Sequence, residues 1–489
     1  MPAKDDSLNP FQRKFWFRRP IRMGSRRDMV EHKSFLPLGI LLLACAAVAA
    51  FVAIGFFRAG PPPDIDIRPA VPVIGKRTAV TIEVSEPRRG LSHVKVEFVQ
   101  GDHVETLAEK SYAYSSSLNF WGARITHDTV QVQVGRETIA SIKSGQASIR
   151  VAAGRIGTWL RHPEPAMQEI TLPVRLTPPL LQVISTQTYV AQGGCEAVVY
   201  RVGDSSVRDG VQAGTWWFPG YPLPGGGKNE RFAIFSVPYD MNSPNVHLVA
   251  SDAADNEAEV SFIDQFFAKK FKEDTVELTD AFMGKVVPEI MDQTPEFHDR
   301  GNLLDNYIGI NTELRAKDAE VLVNLAKQSR REILWSKPFL PIQNGKVMAG
   351  FADYRSYKYQ GKVVDHQTHL GYDLAVTRHA PIPAANDGYV LQAKYFGIYG
   401  NAVIIDHGFG VMTLYGHMSS IAVTPGQKVA RGDIIGQTGE TGLAGGDHLH
   451  FGVILDGLPV NPVEWWDGHW ITDRLGHKLG AGFHLGSQP

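Results

Sequence analysis

From Phe35 to Phe57 the chain carries no charged residue, and no other stretch limits its architecture as strongly. At about 1.5 Å per residue, a helix over this run reaches across a hydrocarbon core about 30 Å thick. Upstream lie Lys4, Arg13, Lys14, Arg18, Arg19, Arg22, Arg26, Arg27 and Lys33 against Asp5, Asp6, Asp28 and Glu31, while only Arg58 follows closely. That asymmetry predicts a cytoplasmic basic tail at 1–34 and a single transmembrane helix at 35–57, with everything beyond it outside the inner membrane. A cleaved signal peptide has a shorter apolar stretch and leader. Leu42-Leu-Ala-Cys45 has the form of a lipoprotein cleavage box, but the apolar run continues past Cys45, where a lipoprotein turns polar. An uncleaved anchor is the expectation.

The remainder of the chain is long enough for about three domains. With 43% hydrophobic and 20% charged residues, the chain has the composition of folded protein. Lys+Arg 49 against Asp+Glu 51 leaves no basic excess, which argues against nucleic acid as a partner. The two cysteines, Cys45 and Cys195, sit in the apolar run and far downstream, so no disulfide and no zinc-finger set is expected.

Pro61-Pro-Pro63 makes a stiff start to the region beyond the anchor. Residues 64–177 read as a β-sandwich-like module: Thr78–Val84, Val94–Val99, Val130–Val134 and Ala147–Val151 alternate with period two between Gly, Pro, Asp and Ser turns. Residues 178–265 read as a second β module, whose close, Val246 to Asn256, resembles bacterial immunoglobulin-like domains. Trp216-Trp217 and Gly225–Gly227 are expected in a loop, with the tryptophans packed between strands rather than stacked on sugars.

The pattern changes over 266–335. Phe266–Met291 and Thr312–Ile333 lack alternation, Leu314, Val321, Leu322 and Leu325 fall on one helical face, and Asn311 or Thr312 suits an N-cap. Pro288 and Pro295 are expected to break the region into two pieces. A helical connector is predicted, either docked on the next domain or lying over its groove. Strands return across 338–470, at Tyr389–Lys394, Ala402–Asp406, Val411–Tyr415 and His450–Leu455, with Trp465, Trp466 and Trp470 packing the close. The tail at 471–489 is Gly-rich and expected to be loose. The fold class is thus mainly β and multidomain, ending in an antiparallel β domain.

Chemistry concentrates in that last domain. His369 and Asp373, with His448 or His450, supply two imidazoles and a carboxylate, a common catalytic zinc set with one position left for water. On a strand His448 and His450 share a face and Leu449 turns into the core, so one histidine is free to bind metal while the other stands beside it. His407 is read as a structural hydrogen-bonder or a group behind the site. His366 and His379 fit no ligand spacing, and His469, His477 and His484 lie outside the pattern. The Gly445-Gly446 pair suits either close approach to substrate or a tight turn.

His369-Leu-Gly-Tyr-Asp373, Ala384-Ala-Asn-Asp-Gly388, Gly400 to Gly408, Leu414-Tyr-Gly-His417, Gly426-Gln-Lys-Val429, Gly432-Asp-Ile-Ile-Gly436 and His448-Leu-His-Phe451 together resemble the lysostaphin-type (LytM-like) zinc endopeptidases of bacterial peptidoglycan. The resemblance covers about 338–468. It implies one Zn²⁺ per chain held by His369, Asp373 and His450, with His448 as general base and His417 as its catalytic partner. It further implies hydrolysis of peptide cross-links, with peptidoglycan stem peptides as substrate. The β modules are candidate contacts for cell-wall or divisome proteins. The alternative is a non-hydrolytic wall-binding or activator module, the role of family members that lose ligands; here all five positions are filled.

Overall fold

The computed structural model describes residues 36–57, 60–113, 123–483 and 485. The expected basic tail lies outside the described residues. Leu36–Phe57 forms one helix, α1, long and apolar enough to cross a membrane, and its side chains from Leu38 to Phe57 are exposed almost throughout.

The rest is mainly β. The first sandwich packs a three-stranded sheet (Asp64–Pro69, Thr78–Ser85, His127–Val134) on a four-stranded one (Leu91–Gln100, His103–Ser111, Gly145–Arg155, Ala166–Val174). In Thr78–Ser85 every second residue is buried, and Val80, Ile82 and Val84 meet Val96, Phe98 and Ile149 in a core of their own. A second sandwich joins two four-stranded sheets between Leu181 and Val260. The tryptophan pair lies not in a loop but on the edge strand Trp216–Pro219, where Trp216 packs against the core and Arg208 covers one face of Trp217 at 3.7 Å.

The connector differs from its expected form in four ways. It opens with two strands, Gln265–Phe267 and Glu273–Leu278, before the first helix. Glu273–Leu278 has three acidic residues and little intrinsic strand preference, but it pairs in parallel with Asp353–Tyr359. Its register sets Asp274 beside Arg355 and Glu277 beside Lys358, opposite charges across neighbouring strands. Helix α2 (Asp280–Gln293), capped by Thr279, then runs through Pro288 without ending there; only Pro295 follows a stop. Pro288 is exposed, and the buried face of Met283, Val286, Val287 and Ile290 offsets the lost hydrogen bond. Helix α3 (Leu303–Gly309) is capped by Asn302, and it continues through a π-helical turn, Ile310–Leu314, into α4 (Arg315–Ala326). Asn311 is therefore inside a continuous helix rather than at its cap, and the extra residue of the π turn rotates Val321 into solvent while Leu314 and Leu322 stay buried.

The last domain is built on an eight-stranded sheet running from the edge strand Lys346–Ala349 through Tyr372–Ala375, Leu449–Leu455, Val411–Gly416, Asn401–Gly408 and Gly388–Tyr395. Its core is continuous with that of the second sandwich. Phe232 of the sandwich, Phe409 of the Asn401–Gly408 to Val411–Gly416 turn and Phe483 near the C-terminus meet with centroids 4.9–6.0 Å apart. The tail is thus not loose up to Phe483. Ile471, Leu475, Leu479 and Phe483 recur every fourth residue and are all buried, a helical stripe that the surrounding glycines obscured.

Candidate metal centre and its cavity

Sheet register brings the site together. Asp373 on Tyr372–Ala375 lies directly opposite His450 on Leu449–Leu455, and His450 faces Gly416 across its other side. His369 closes a strand of a different sheet, Lys362–His369, four residues before Asp373. Its Nδ1–H donates to the Gly350 carbonyl at 2.8 Å, which leaves Nε2 unprotonated and turned to the other two.

His369 Nε2 lies 2.9 Å from Asp373 Oδ1 and 3.1 Å from His450 Nδ1, and His450 Nδ1 lies 2.9 Å from Asp373 Oδ1. A tetrahedral ion with bonds of about 2.0–2.1 Å separates its ligand atoms by about 3.4 Å. The triangle is slightly tighter than one face of that tetrahedron, and two imidazoles with a carboxylate are a donor set zinc takes readily. The three residues fit the ion. All three are buried or nearly so, so together they are an expensive cluster to hold without one.

Gly371 is required between His369 and Asp373. A Cβ there would stand 2.5 Å from His450 Nε2 and 2.8 Å from the Phe451 carbonyl oxygen. Gly371→Ala is expected to push the His450 ring out of the triangle and weaken zinc binding by about 10- to 100-fold, the usual cost of disturbing a ligand's support. Competition titration against a zinc chelator checks it.

The two other imidazoles stand on the open side. His448 immediately precedes its strand, held by its N–H to the Gly439 carbonyl at 3.0 Å. Its Nδ1–H donates to the Gly446 carbonyl at 2.8 Å, and its Nε2 is 3.5 Å from Asp373 Oδ1. His417 sits in a left-handed backbone conformation (φ 60°), costly for a residue other than glycine. Its Nδ1–H donates to the Thr441 carbonyl at 2.8 Å, and its ring centroid is 4.8 Å from that of His448. In both, the protonated nitrogen is tied to backbone and the free one is left to the cavity.

Electrostatics follow from burial and from Asp373. Burial works against charge on Asp373, but the His369, His448 and His450 imidazoles around it hold its carboxyl well below the usual range. Burial pushes His450 down to about 4 and His417 well below the ordinary imidazole value, so both are neutral. His448 is also partly buried, yet the Asp373 carboxylate beside it raises it.

Arg355 was not legible in the sequence. Its Nη2 donates to Asp373 Oδ2 at 3.1 Å, fixing the carboxylate oxygen that the triangle does not use. It reaches the site only through the strand pairing of Asp353–Tyr359 with Lys362–His369, and no spacing signals it. The remaining histidines fall elsewhere. His407 is buried, with Nδ1–H to the Asp387 carbonyl at 2.7 Å and Nε2 on Thr413 Oγ1 at 2.8 Å, which makes it a structural link. His366 stacks on Tyr354, and His379 is half-exposed beside Asp447. A Cβ on Gly445 or Gly446 would meet nothing, so neither packing nor φ demands glycine there.

A cavity of ≈ 300 Å³ opens onto His369, Asp373, His417, His448 and His450. One wall comes from the connector: Glu277, Phe282 of α2, Tyr307 of α3 and Arg315 of α4. Leu278, α2, α3 and the π-helical turn pack on Tyr357 and Ile398 in one apolar cluster.

Residues 367–462 match peptidase family M23. Peptidoglycan DD-endopeptidase ShyA of Vibrio cholerae serotype O1 is 37% identical over 119 residues, 24% of this chain and 27% of that protein. DD-carboxypeptidase/endopeptidase Mpg of Neisseria meningitidis serogroup B is 43% identical over 96 residues, 20% of this chain and 22% of the relative. The chain thus spans about a quarter of the length of these curated relatives. The solved catalytic domain of the prophage-encoded M23 protein EnpA from Enterococcus faecalis is 30% identical and aligns over 26% of this chain and 95% of that one, at a TM-score of 0.21.

Proposed function

Residues 367–462 form a peptidase family M23 domain, and from that premise we propose that the chain is a membrane-anchored zinc endopeptidase that hydrolyses peptide cross-links of peptidoglycan. The observation that carries this reading is the closed triangle of His369 Nε2, Asp373 Oδ1 and His450 Nδ1 with two further imidazoles on its open side. Zinc held there would supply a Lewis acid that brings water towards a pKa of about 7 and polarises a carbonyl.

The chain's own groups account for the rest. His448, with Nδ1–H fixed to Gly446, offers Nε2 to take the proton of the attacking water. His417, fixed in the same way to Thr441, offers its Nε2 to steer the water or to hand a proton to the leaving amine. Arg355 keeps Asp373 from rotating out of the triangle. The names of the two relatives support a D-amino acid at the cut bond. Mass spectrometry of sacculi digested with the full chain tests the reading: peptide cross-links should disappear, and new sugar ends in their place would refute it.

The anchor reading gives a second expectation. With α1 as the span and the basic residues ahead of it, reporters fused at residue 30 and at the C-terminus should report opposite sides of the membrane. A cytoplasmic C-terminus would overturn the periplasmic placement.

A further inference from the structure

We infer that Arg315 is the receptor for a free carboxylate on the substrate peptide, one or two residues from the bond that is cut; the inference rests on the peptidase reading above. Arg315 begins α4 directly after the π-helical turn Ile310–Leu314, and such turns inside helices often mark functional sites. Here the turn brings fully buried Asn311 under the arginine. Asn311 Nδ2 donates to Asp365 Oδ2 at 2.7 Å and is fixed by it. Arg315 Nε then donates to the Asn311 carbonyl at 3.0 Å, and Nη2 to Asn311 Oδ1 at 2.6 Å.

Both partners of this guanidinium are neutral oxygens. Among the described residues, no carboxylate makes an ion pair with Arg315, whereas Arg355 in the same cavity is paired with Asp373. Glu277, the other acid on the cavity wall, is exposed at the rim. Arg355 and Asp373 cancel, and the nearby acids Asp318 and Asp365 are bonded to the Ile398 N–H and the Asn311 amide rather than to Arg315, so Arg315 is a held, half-buried cation with unused N–H groups and no carboxylate in contact. Such a group is costly unless a ligand supplies the anion. A planar guanidinium suits a carboxylate, which it can hold with two parallel bonds. The cavity it shares with the metal triangle, ≈ 300 Å³, is roughly 8 Å across, about two residues of extended chain. A peptide with its carbonyl at the triangle therefore brings a neighbouring carboxylate to Arg315.

A cross-linked peptide offers that carboxylate from two sources, the α-carboxylate of a chain end or an acidic side chain. The probes are a synthetic peptide dimer cross-linked through a D-amino acid and two versions of it, one amidated at the terminus and one at the side chain. Binding to the full chain in detergent is measured by calorimetry, with His448→Ala present to prevent turnover. The acid dimer should bind about 10- to 100-fold more tightly than one of the two amides, and which amide is weaker identifies the source. Adding Arg315→Gln should remove that difference, while Arg315→Lys should restore part of it. Zinc content and circular dichroism equal to those of the parent establish that the variants fold. Equal binding of all three dimers to the His448→Ala chain, or a preference for acid that survives Arg315→Gln, would overturn the inference. Preference for acid in a wild-type chain that cuts no dimer would instead sink the peptidase reading and leave the carboxylate receptor standing.

Discussion

Alanine at His450, His369 or Asp373 is expected to empty the metal site, whereas alanine at His448 or His417 should leave zinc bound and remove turnover. The two outcomes follow from position. The first three own the atoms of the triangle, at 2.9–3.1 Å from one another. His448 Nε2 stands outside it, 3.5 Å from the shared carboxylate oxygen, and His417 lies beside His448 rather than beside Asp373. Loss of one of three protein ligands leaves too few to hold the ion, and near-stoichiometric metal should fall to little or none. Loss of a positioned acid or base costs about 100- to 10,000-fold in rate with the metal in place. Zinc analysis beside turnover on the five single variants separates the groups. Acid should act differently on each as well: ligand imidazoles must be neutral, so zinc binding weakens as pH falls below about 6.5, with the onset pushed lower by the metal itself. Zinc lost from His448→Ala but kept in His450→Ala would mean that the two histidines have exchanged roles.

Lys478→Met should destabilise the chain by about 3–5 kcal/mol, although it lies far from the cavity in sequence and function. Glu196 of the second sandwich is fully buried, and Lys478 Nζ lies 3.0 Å from its Oε1. Among the described residues, Arg474 is the only other cation paired with it, at 3.8 Å from Oε2, an oxygen with no hydrogen bond. Burial alone raises the Glu196 carboxyl, and Lys478 is the first group opposing that. Removing the lysine leaves a charge in the interior without its partner, which costs more than the pair itself was worth. The double variant Glu196→Met with Lys478→Met should therefore recover much of the loss. Denaturant unfolding of the full chain in detergent checks both, as a shift in midpoint at unchanged slope. A single variant as stable as the parent would show that this contact does not tie the C-terminal helices to the sandwich.

That tie explains why the C-terminal part of the chain should not be treated as a separable unit. Phe232, Phe409 and Phe483 come from the sandwich, the eight-stranded sheet and the tail, and each packs on the other two in one buried core. Cutting between the second sandwich and the last domain would expose this aromatic core. Loss of activity in such a fragment would report unfolding, not regulation by the connector.

Thr78–Ser85 and Leu449–Leu455 could be read as strands, and α1 as a helix apolar enough to cross a membrane, because a period of two or an unbroken apolar run is written in the local sequence. The same holds for His369, Asp373, His417, His448 and His450, whose short motifs carry their chemistry in local spacing. Local spacing says nothing of what lies across the fold. Glu273–Leu278 is a strand because it pairs in parallel with Asp353–Tyr359, a strand some eighty residues away. Pro288 is tolerated because the other face of its helix is buried. Arg355 and Arg315 reach one cavity through strand pairing and a π turn, and neither has a motif of its own. Sequence by itself determined the strongly periodic strands, the apolar helix and the five residues that the fold gathers around one cavity; the connector strands, the C-terminal helices and the charges brought to that cavity were decided by long-range packing, whose energy depends on both partners at once.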